Sequence, residues 1–161
     1  MSLSIYKLRC IGGIHMKAFI YRSVLKRMIE YGQTQLPYEA CGVLLGDVEA
    51  AATFVHTFVP VPNISTGPLN HFLMDPLHLL PYIKETSGAP RLAGFYHTHP
   101  LAPAIPSEQD LLTEWHTVPT HWIVSYAAPS NPHVRCYRYD SIGRGTVYES
   151  VCFSVCEDNR T

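Results

Sequence analysis

Hydrophobic residues recur with two different periods along this chain, and each period predicts a different kind of element. Between residues 17 and 33, apolar positions lie three and four residues apart, which is the spacing of one helix face. The members of this face are Ile20, Val24, Leu25, Met28 and Ile29. The pattern predicts an amphipathic helix that ends near Gly32, because glycine commonly follows the last turn of a helix.

Short apolar runs bounded by Gly, Pro, Asp and Ser predict strands along the rest of the chain. The first two, residues 40–45 and 52–59, are joined through Gly46-Asp47, a hairpin-like turn signal. A third begins at residue 92 and leads into His97 and His99. Three more are predicted over residues 121–127, 134–140 and 146–154.

Two further helix starts are signalled by capping residues. Asp75-Pro76 has the form of an N-cap and a first helical residue, but Pro81 is expected to interrupt that helix a turn later. Ser107 follows a proline and has the form of an N-cap for a helix over residues 107–116. The mixture of strands and helices predicts an α/β sandwich built on a mixed sheet.

Composition narrows the class of protein. The chain has 161 residues, 47% of them hydrophobic, which predicts one domain with a substantial core. The formal net charge is −1 and the basic residues are dispersed, so no nucleic-acid partner is expected. No apolar run approaches the ~20 residues that span a bilayer, so no membrane partner is expected either.

Residues 1–15 lack the continuous apolar stretch and the cleavage site of a signal peptide. They end in Gly-Gly-Ile-His just before Met16, so we expect them to be a leader or a vector-derived segment that precedes a domain over residues 16–161. We expect the protein to be cytoplasmic.

The cysteines agree with that location, because an odd number of thiols without a Cys-x-x-Cys pair predicts a reduced protein without disulfides. Cys152 and Cys156 lack the spacing of a zinc finger, so they are not expected to form a second metal site. Cys41 lies in an apolar run and is expected to be packed rather than nucleophilic.

The candidate metal ligands lie in the segment His97-Thr98-His99, which is followed by Ser107 and Asp110. In a strand, the period of two places both imidazoles on one face, so both can reach one ion. Asp110 would complete the set from the following helix. Two histidines and one carboxylate leave a tetrahedral Zn²⁺ with one open position for water, which is the pattern of a catalytic site.

Helix capping is an alternative interpretation of the last two residues. Ser107 could serve only as an N-cap, and Asp110 would then favour the positive end of the helix dipole. The two interpretations are compatible, because a capped helix start holds Asp110 rigid, as a metal ligand must be.

The histidine motif resembles the JAMM (MPN+) metalloprotease family, best known for zinc deubiquitinases, and every signature position matches. The likeness to short bacterial members includes the Glu-Ala-Cys-Gly segment that begins at Glu39 and the loop residue Asn63. It also includes Phe-x-x-Asp-Pro from Phe72 and Gly-x-Tyr-His-x-His-Pro from Gly94. The resemblance extends from about residue 16 to about residue 139.

The resemblance implies a fold and a set of roles. The fold is the MPN sandwich, similar to that of cytidine deaminases, with a mixed, curved β-sheet flanked by helices. His97, His99 and Asp110 would bind Zn²⁺, Glu39 would be the general acid and base, and Ser107 would stabilise the oxyanion. Without the resemblance, Glu39 would be read as a solvated turn residue. The other histidines have no paired ligand, although His121 and Trp122 could border the site.

The resemblance also implies a function: a zinc-dependent peptidase or isopeptidase that hydrolyses the bond after the C-terminal Gly-Gly of a ubiquitin-like or sulfur-carrier protein. A sulfur carrier is the expected substrate, as in small bacterial relatives. Loops 47–51 and 100–106 are too short for the insertions with which eukaryotic relatives grip ubiquitin chains.

Three alternatives remain beside this function. One is a phage-tail-type or cell-wall peptidase with the same zinc centre. Another is a non-catalytic MPN binding module, which the complete ligand set argues against. A zinc nucleobase deaminase is disfavoured because its Pro-Cys-x-x-Cys ligand pair is missing. The sequence leaves the oligomeric state open.

Overall fold

A mixed sheet that closes into a barrel forms the body of the protein. The computed structural model describes residues 16–84 and 87–158, so the predicted leader, residues 1–15, lies outside the described residues. The elements of the described part are β1 (Lys17–Tyr21), α1 (Arg22–Gln35), β2 (Cys41–Val48), β3 (Ala52–Val61), α2 (Pro76–Ile83), β4 (Arg91–His99), β5 (Thr120–Ser125), β6 (His133–Ile142) and β7 (Gly145–Cys156).

The strands follow the order β1-β3-β2-β4-β5-β6-β7, and β1 pairs with β7 to close the barrel. Pairing is parallel between β1 and β3, β1 and β7, and β4 and β5, and it is antiparallel elsewhere. The α/β class and the mixed sheet are therefore confirmed, and closure leaves the barrel without a free edge strand.

The helix predicted over residues 17–33 is wrong at both ends. Residues Lys17–Tyr21 form β1, because Ala18 and Ile20 alternate inward while their neighbours do not, and Ile20 fits both periods. The helix α1 runs over Arg22–Gln35, and Gly32 lies inside it. A Cβ at Gly32 would lie 2.3 Å from Tyr126 Oη, so this glycine permits close packing rather than ending the helix.

The hairpin turn predicted at Gly46-Asp47 is also wrong. Both residues belong to β2, and the chain reverses at residues 49–51 instead. The register of β2 against β3 shifts between Leu45 and Gly46, so the glycine marks a β-bulge. A Cβ on Gly46 would lie 1.8 Å from the carbonyl oxygen of Phe54, which explains why only glycine fits there.

The second helix forms as its cap predicts and continues past its internal proline. Asp75 Oδ1 accepts a hydrogen bond from Leu77 N at 3.0 Å, and α2 extends from Pro76 to Ile83. The interruption predicted at Pro81 does not occur. This proline lies in the last turn, where one backbone hydrogen bond is lost and little helix remains to be broken.

The helix predicted over residues 107–116 is replaced by turns. Ser107 Oγ accepts from Asp110 N at 3.1 Å, and Asp110 Oδ2 accepts from Ser107 N at 2.7 Å, so the capping contacts form around a single turn. The chain then leaves helical geometry. Leu112 and Trp115 are exposed, so no buried apolar stripe supports further turns.

Buried side chains lie on both faces of the central strands. Tyr96 and Trp122 belong to a cluster that includes Val24 and Met28 of α1. Tyr96 Oη donates to the carbonyl of Met28 at 2.8 Å, and this contact ties α1 to β4. On the opposite face, Phe95 packs in a second cluster with residues of α2, and the predicted site lies on this face.

The described cysteines, Cys41, Cys136, Cys152 and Cys156, are free thiols. Cys41 is fully buried. Burial, and to a smaller extent the nearby Glu39 carboxyl group, raises the pKa of its thiol to about 12. The thiolate needed for nucleophilic attack is therefore disfavoured. Neither α1 nor α2, the two helices of the described chain, has the length and apolar character to cross a membrane.

The bulge at Gly46 yields a prediction about stability. We expect Gly46→Ala to lower the free energy of unfolding by about 2 kcal/mol or more, because the methyl group meets backbone that cannot move without separating β2 from β3. Gly67→Ala is the control, since the nearest atom to its Cβ is Asn70 Oδ1 at 4.0 Å, and it should change stability by less than about 0.5 kcal/mol. Equal denaturant midpoints for both variants would contradict this assignment of the bulge.

Candidate metal centre

The end of β4 presents two imidazoles on one face of the barrel. His97 and His99 share that face, while Thr98 between them points to the opposite side and is fully buried. The Nε2 atoms of the two histidines lie 3.1 Å apart. The strand predicted from the alternation of residues therefore brings the pair together.

Asp110 approaches the same point from the turn after β4. Its Oδ2 atom lies 3.3 Å from His97 Nε2 and 3.2 Å from His99 Nε2. Among the described residues, these three side chains form the one group of at least three His, Cys, Asp or Glu ligands whose atoms all lie within 4.8 Å of one another. Cys152 and Cys156 belong to no such group in the described chain.

The two histidines are oriented by contacts behind the candidate centre. His99 Nδ1 lies 2.7 Å from the carbonyl oxygen of Pro103, so Nδ1 donates and the Nε2 lone pair faces the other ligands. The ring of Phe72 stacks on His97 with centroids 4.5 Å apart and planes inclined by 23°. Both imidazoles are thus held before any ion binds.

Electrostatics agree with a cation site. Burial disfavours the ionised form of Asp110, but the His97 and His99 imidazoles and the Ser107 N–H outweigh burial and hold the pKa of Asp110 well below its usual range. Burial lowers the pKa of His97 and favours its neutral form. Burial also acts to lower the pKa of His99, but its contacts with Asp110 and the Pro103 carbonyl outweigh burial and raise that pKa, so His99 would release its proton when a cation binds. An ionised carboxylate and a neutral imidazole are the protonation states that a metal ligand needs.

Glu39 lies beside this group without joining it. Its side chain is buried, and its Oε2 atom has no hydrogen-bond partner within residues 16–84 and 87–158. Burial raises the pKa of Glu39 to about 7, with nearby His99 opposing and Asp110 adding to the shift. The alternative of a solvated turn residue is wrong, because the carboxyl group is enclosed.

The loop between β3 and α2 holds the backbone of Glu39. Asn63 Nδ2 donates to the carbonyl of Glu39 at 2.9 Å, and Asn63 Oδ1 accepts from Ser65 N and Leu73 N, each at 3.0 Å. Glu39 N donates to the carbonyl of Pro68 at 2.7 Å. Asn63 is part of the likeness to short bacterial members, but the sequence does not show this role, because the contact between Asn63 and Glu39 joins residues 24 positions apart.

Ser107 is exposed at the mouth of the group. Its Oγ atom accepts from Asp110 N, which leaves the hydroxyl hydrogen free to donate to another acceptor. The cap and the predicted contact to a substrate oxygen are therefore compatible in one side chain. Of the two residues expected to border the site, His121 lies on the same face as His97, whereas Trp122 faces the core cluster beside α1.

Comparison with known proteins gives the family of this centre. The model for prokaryotic homologs of the JAB domain matches residues 22–140. The chain belongs to the prokaryotic JAB-domain family. The JAMM resemblance of the histidine motif is thereby confirmed, and the match spans every residue of the candidate centre.

Individual relatives of this JAB-domain protein are consistent with the family assignment. A probable TtuB-protein conjugate cleaving protease of Thermus thermophilus is 32% identical over 131 residues, which are 80% of each chain. A desampylase of Haloferax volcanii is 34% identical over 90 residues, 55% of this chain and 63% of that protein. The solution structure of a Desulfitobacterium hafniense protein shares the fold, with a TM-score of 0.71 at 24% identity over 88% of this chain and 94% of that one.

The centre yields a prediction about metal content. We expect the purified JAB-domain protein to hold one Zn²⁺ per chain, and the double variant His97→Ala, His99→Ala to lose it, because one carboxylate alone binds zinc weakly. Elemental analysis after dialysis measures this. His133→Ala is the control, since His133 is exposed on β6 and belongs to no ligand group in the described part of the chain, and it should retain the metal. Equal zinc content in the double variant and the wild type would overturn the ligand assignment.

Proposed function

We propose that this chain is a zinc-dependent peptidase or isopeptidase that hydrolyses the bond after the C-terminal Gly-Gly of a ubiquitin-like or sulfur-carrier protein. One observation carries the proposal: three converging ligand atoms lie beside the buried carboxyl group of Glu39, whose Oε2 atom has no hydrogen-bond partner among the described residues. The name of the Thermus relative, a protease that cleaves TtuB-protein conjugates, supports the same class of reaction.

The ligand set fits zinc. Two imidazole nitrogens and one carboxylate oxygen are the donors of many catalytic zinc sites, and the orientation of His99 by Pro103 provides the outer contact that such ligands need. A zinc ion bound there supplies Lewis acidity, which polarises a carbonyl group and lowers the pKa of bound water to about 7.

Glu39 is proposed to move the proton. Its carboxylate accepts a proton as water attacks the scissile carbonyl, and it then returns that proton to the leaving nitrogen. A pKa raised by burial suits both steps, because a group that titrates near neutral pH can take and give a proton. The hydrogen bonds from Asn63 and to Pro68 keep the Glu39 backbone in place during this exchange.

Ser107 is proposed to stabilise the developing oxyanion. Its hydroxyl hydrogen is not used by the capping contact, so it can donate to an oxygen atom placed beside Asp110. Removing a comparable donor in other hydrolases slows the reaction by about 10²–10³-fold.

The proposed substrate is one whose last residues have no side chains, because those residues would have to reach the metal centre. A glycine-ended tail can lie extended and bring its last carbonyl to the centre without a side chain in the way. A cell-wall or phage-tail peptidase with the same centre is the second candidate, because the same ligands and base would serve any amide. A binding module would not need the Oε2 atom of Glu39 to be buried without a hydrogen-bond partner, as it is in the described part of the chain.

The role of Glu39 is tested by Glu39→Gln. The amide keeps the shape of the side chain but cannot accept the proton, so we expect turnover to fall by at least about 10²-fold while zinc content stays at one per chain. Glu49→Gln is the matched control, because Glu49 is exposed at the turn between β2 and β3. If zinc-loaded Glu39→Gln turns over at the wild-type rate, the base is a different residue.

The substrate class is tested with a sulfur-carrier protein that carries a peptide after its terminal Gly-Gly. We expect cleavage after the second glycine, inhibition by chelators, and loss of cleavage when that glycine is replaced by valine, because a side chain would clash at the centre. Linked ubiquitin chains should be poor substrates. Equal cleavage of the Gly-Gly and Gly-Val fusions, or cleavage of cell-wall peptides only, would favour the second candidate.

A further inference from the structure

Two buried side-chain oxygen atoms make no hydrogen bond within residues 16–84 and 87–158. One is Oε2 of Glu39, whose proposed role is that of the base. The other is the hydroxyl oxygen of Tyr139 in β6, to which none of the roles above applies. A buried hydroxyl without a partner is costly, because it has lost its hydrogen bonds to water and gained none in return. Such an atom in a folded protein points to a partner that binding provides.

Tyr139 lies on the same face of the barrel as the candidate metal ligands. Its side chain borders one cavity together with His97 and Asp110. Leu111, the residue after Asp110, packs against the buried cluster that contains Tyr139. Burial raises the pKa of the Tyr139 hydroxyl, and the negative charge of Asp110 raises it further. The hydroxyl is therefore near the Asp110 carboxylate, and it keeps its proton while that carboxylate is ionised.

The ring of Tyr139 is held in place by an aromatic stack. The His121 ring stacks on it, with centroids 3.9 Å apart and planes 7° apart. His121 Nε2 lies 3.3 Å from the carbonyl oxygen of Trp115, and Phe95 meets the His121 ring edge-on at 6.0 Å. Because the imidazole is itself held by two contacts, it fixes the plane of the Tyr139 ring. The direction of the hydroxyl is thus set in advance.

The Asp110 carboxylate makes its polar contacts through one oxygen. Oδ2 lies 3.3 Å from His97 Nε2 and 3.2 Å from His99 Nε2, and it accepts the Ser107 N–H. No hydrogen bond joins Oδ1 to another group in the described chain. If Oδ2 binds a metal ion, Oδ1 is the outer oxygen of that ligand. Carboxylates that bind metals are usually hydrogen-bonded in this way, and the outer contact orients the ligand.

The two histidines already have outer contacts. His99 Nδ1 donates to the carbonyl of Pro103, and Phe72 stacks on His97. Of the three candidate ligands, Asp110 is the one whose outer atom has no such contact among the described residues. An acceptor without a donor, Oδ1, and a donor without an acceptor, the Tyr139 hydroxyl, therefore belong to side chains that border the same cavity.

We propose that Tyr139 is a positioning residue of the metal centre, whose hydroxyl donates to Oδ1 of Asp110 when Oδ2 binds the ion. A small rotation of the carboxylate or one bridging water completes the contact. The contact keeps Oδ2 directed at the ion and gives the buried hydroxyl its partner. The Tyr139 hydroxyl oxygen is itself buried, so it acts through Asp110 and not on a substrate. This inference rests on the zinc centre of the proposed function and on none of its hydrolytic steps.

The test is the zinc affinity of Tyr139→Phe, measured by competition with a chromophoric chelator. Phenylalanine keeps the ring that stacks on His121 but removes the donor. We expect the zinc dissociation constant to rise roughly tenfold or more, which is the usual effect of losing an outer contact. An unchanged dissociation constant would overturn the proposal.

Tyr126→Phe is the matched control. It also removes the hydroxyl of a buried tyrosine, but this hydroxyl donates to the carbonyl of Ile29 in α1 at 2.5 Å, in the cluster on the opposite face of the sheet. The zinc dissociation constant of this variant should equal that of the wild type. An equal loss of affinity in Tyr126→Phe and Tyr139→Phe would show a general effect of core tyrosines and would refute the proposal.

Thermal unfolding separates positioning from a structural role. In the presence of a chelator, Tyr126→Phe should lower Tm because it removes a hydrogen bond, whereas Tyr139→Phe should keep or raise Tm because its hydroxyl has no partner in the described chain. Added zinc should raise the Tm of Tyr139→Phe less than that of the wild type. Equal falls in Tm for the two variants in chelator would show that Tyr139 supports the fold and not the ligand.

A double-variant cycle identifies the residue through which Tyr139 acts. In an Asp110→Ala background, Tyr139→Phe should leave the weaker zinc binding of the histidine pair unchanged, because the carboxylate that Tyr139 positions is gone. The same loss of affinity in both backgrounds would overturn the proposal.

The same measurements distinguish this inference from the proposed function. Zinc affinity that depends on Tyr139, in a protein that hydrolyses no Gly-Gly substrate, would refute the function alone. Hydrolysis with a zinc affinity that is independent of Tyr139 would refute the positioning role and leave the function standing. A wild-type protein that binds no zinc would refute both.

Discussion

The candidate centre depends on one backbone pairing, between Ala40 before β2 and Thr98 in β4. Thr98 N donates to the carbonyl of Ala40 at 3.0 Å, and Ala40 N donates to Thr98 Oγ1 at 2.8 Å. Because Thr98 faces away from the ligand face, its side chain locks the pairing from behind. The pairing places Glu39 beside His99. A slip of one residue along β4 would turn both histidines away and bring Thr98 to the centre instead.

The loop between β3 and α2 connects the base to the ligands. Asn63 holds the carbonyl of Glu39, and Phe72 in the same loop stacks on His97. His71, also in this loop, lies 3.4 Å from Gln109, the neighbour of Asp110. One segment therefore contacts the base, a ligand strand and the ligand turn. A displacement of this loop would disturb all three together, which makes its hydrogen bonds part of the geometry of the centre.

Local sequence patterns predicted the features that depend on neighbouring residues, namely strand alternation and the capping contacts. The alternation in β4 and the cap at Ser107 indicated the ligand residues, and the structure brings those residues together. Local patterns mispredict the structure where a residue suits two periods, as Ile20 does in β1, and where a glycine forms a bulge rather than a turn, as at Gly46. Barrel closure and the contact between Asn63 and Glu39 could not be predicted from local patterns. Each joins residues far apart in sequence, and no local period records which strand lies beside which.

The burial that makes Glu39 costly to the fold is also what suits it to catalysis. A buried carboxyl group without a partner destabilises a protein by about 1–3 kcal/mol, and a well-packed apolar residue would avoid that cost. The protein nevertheless encloses Glu39 and aligns its backbone with Asn63. Enclosure raises its pKa to about 7, while a cation held by the neighbouring ligands would lower it again by attraction to the carboxylate. The proton affinity of Glu39 is therefore set by two opposing effects, burial and the charge of the ion, and a base that both accepts and returns a proton needs such a balance.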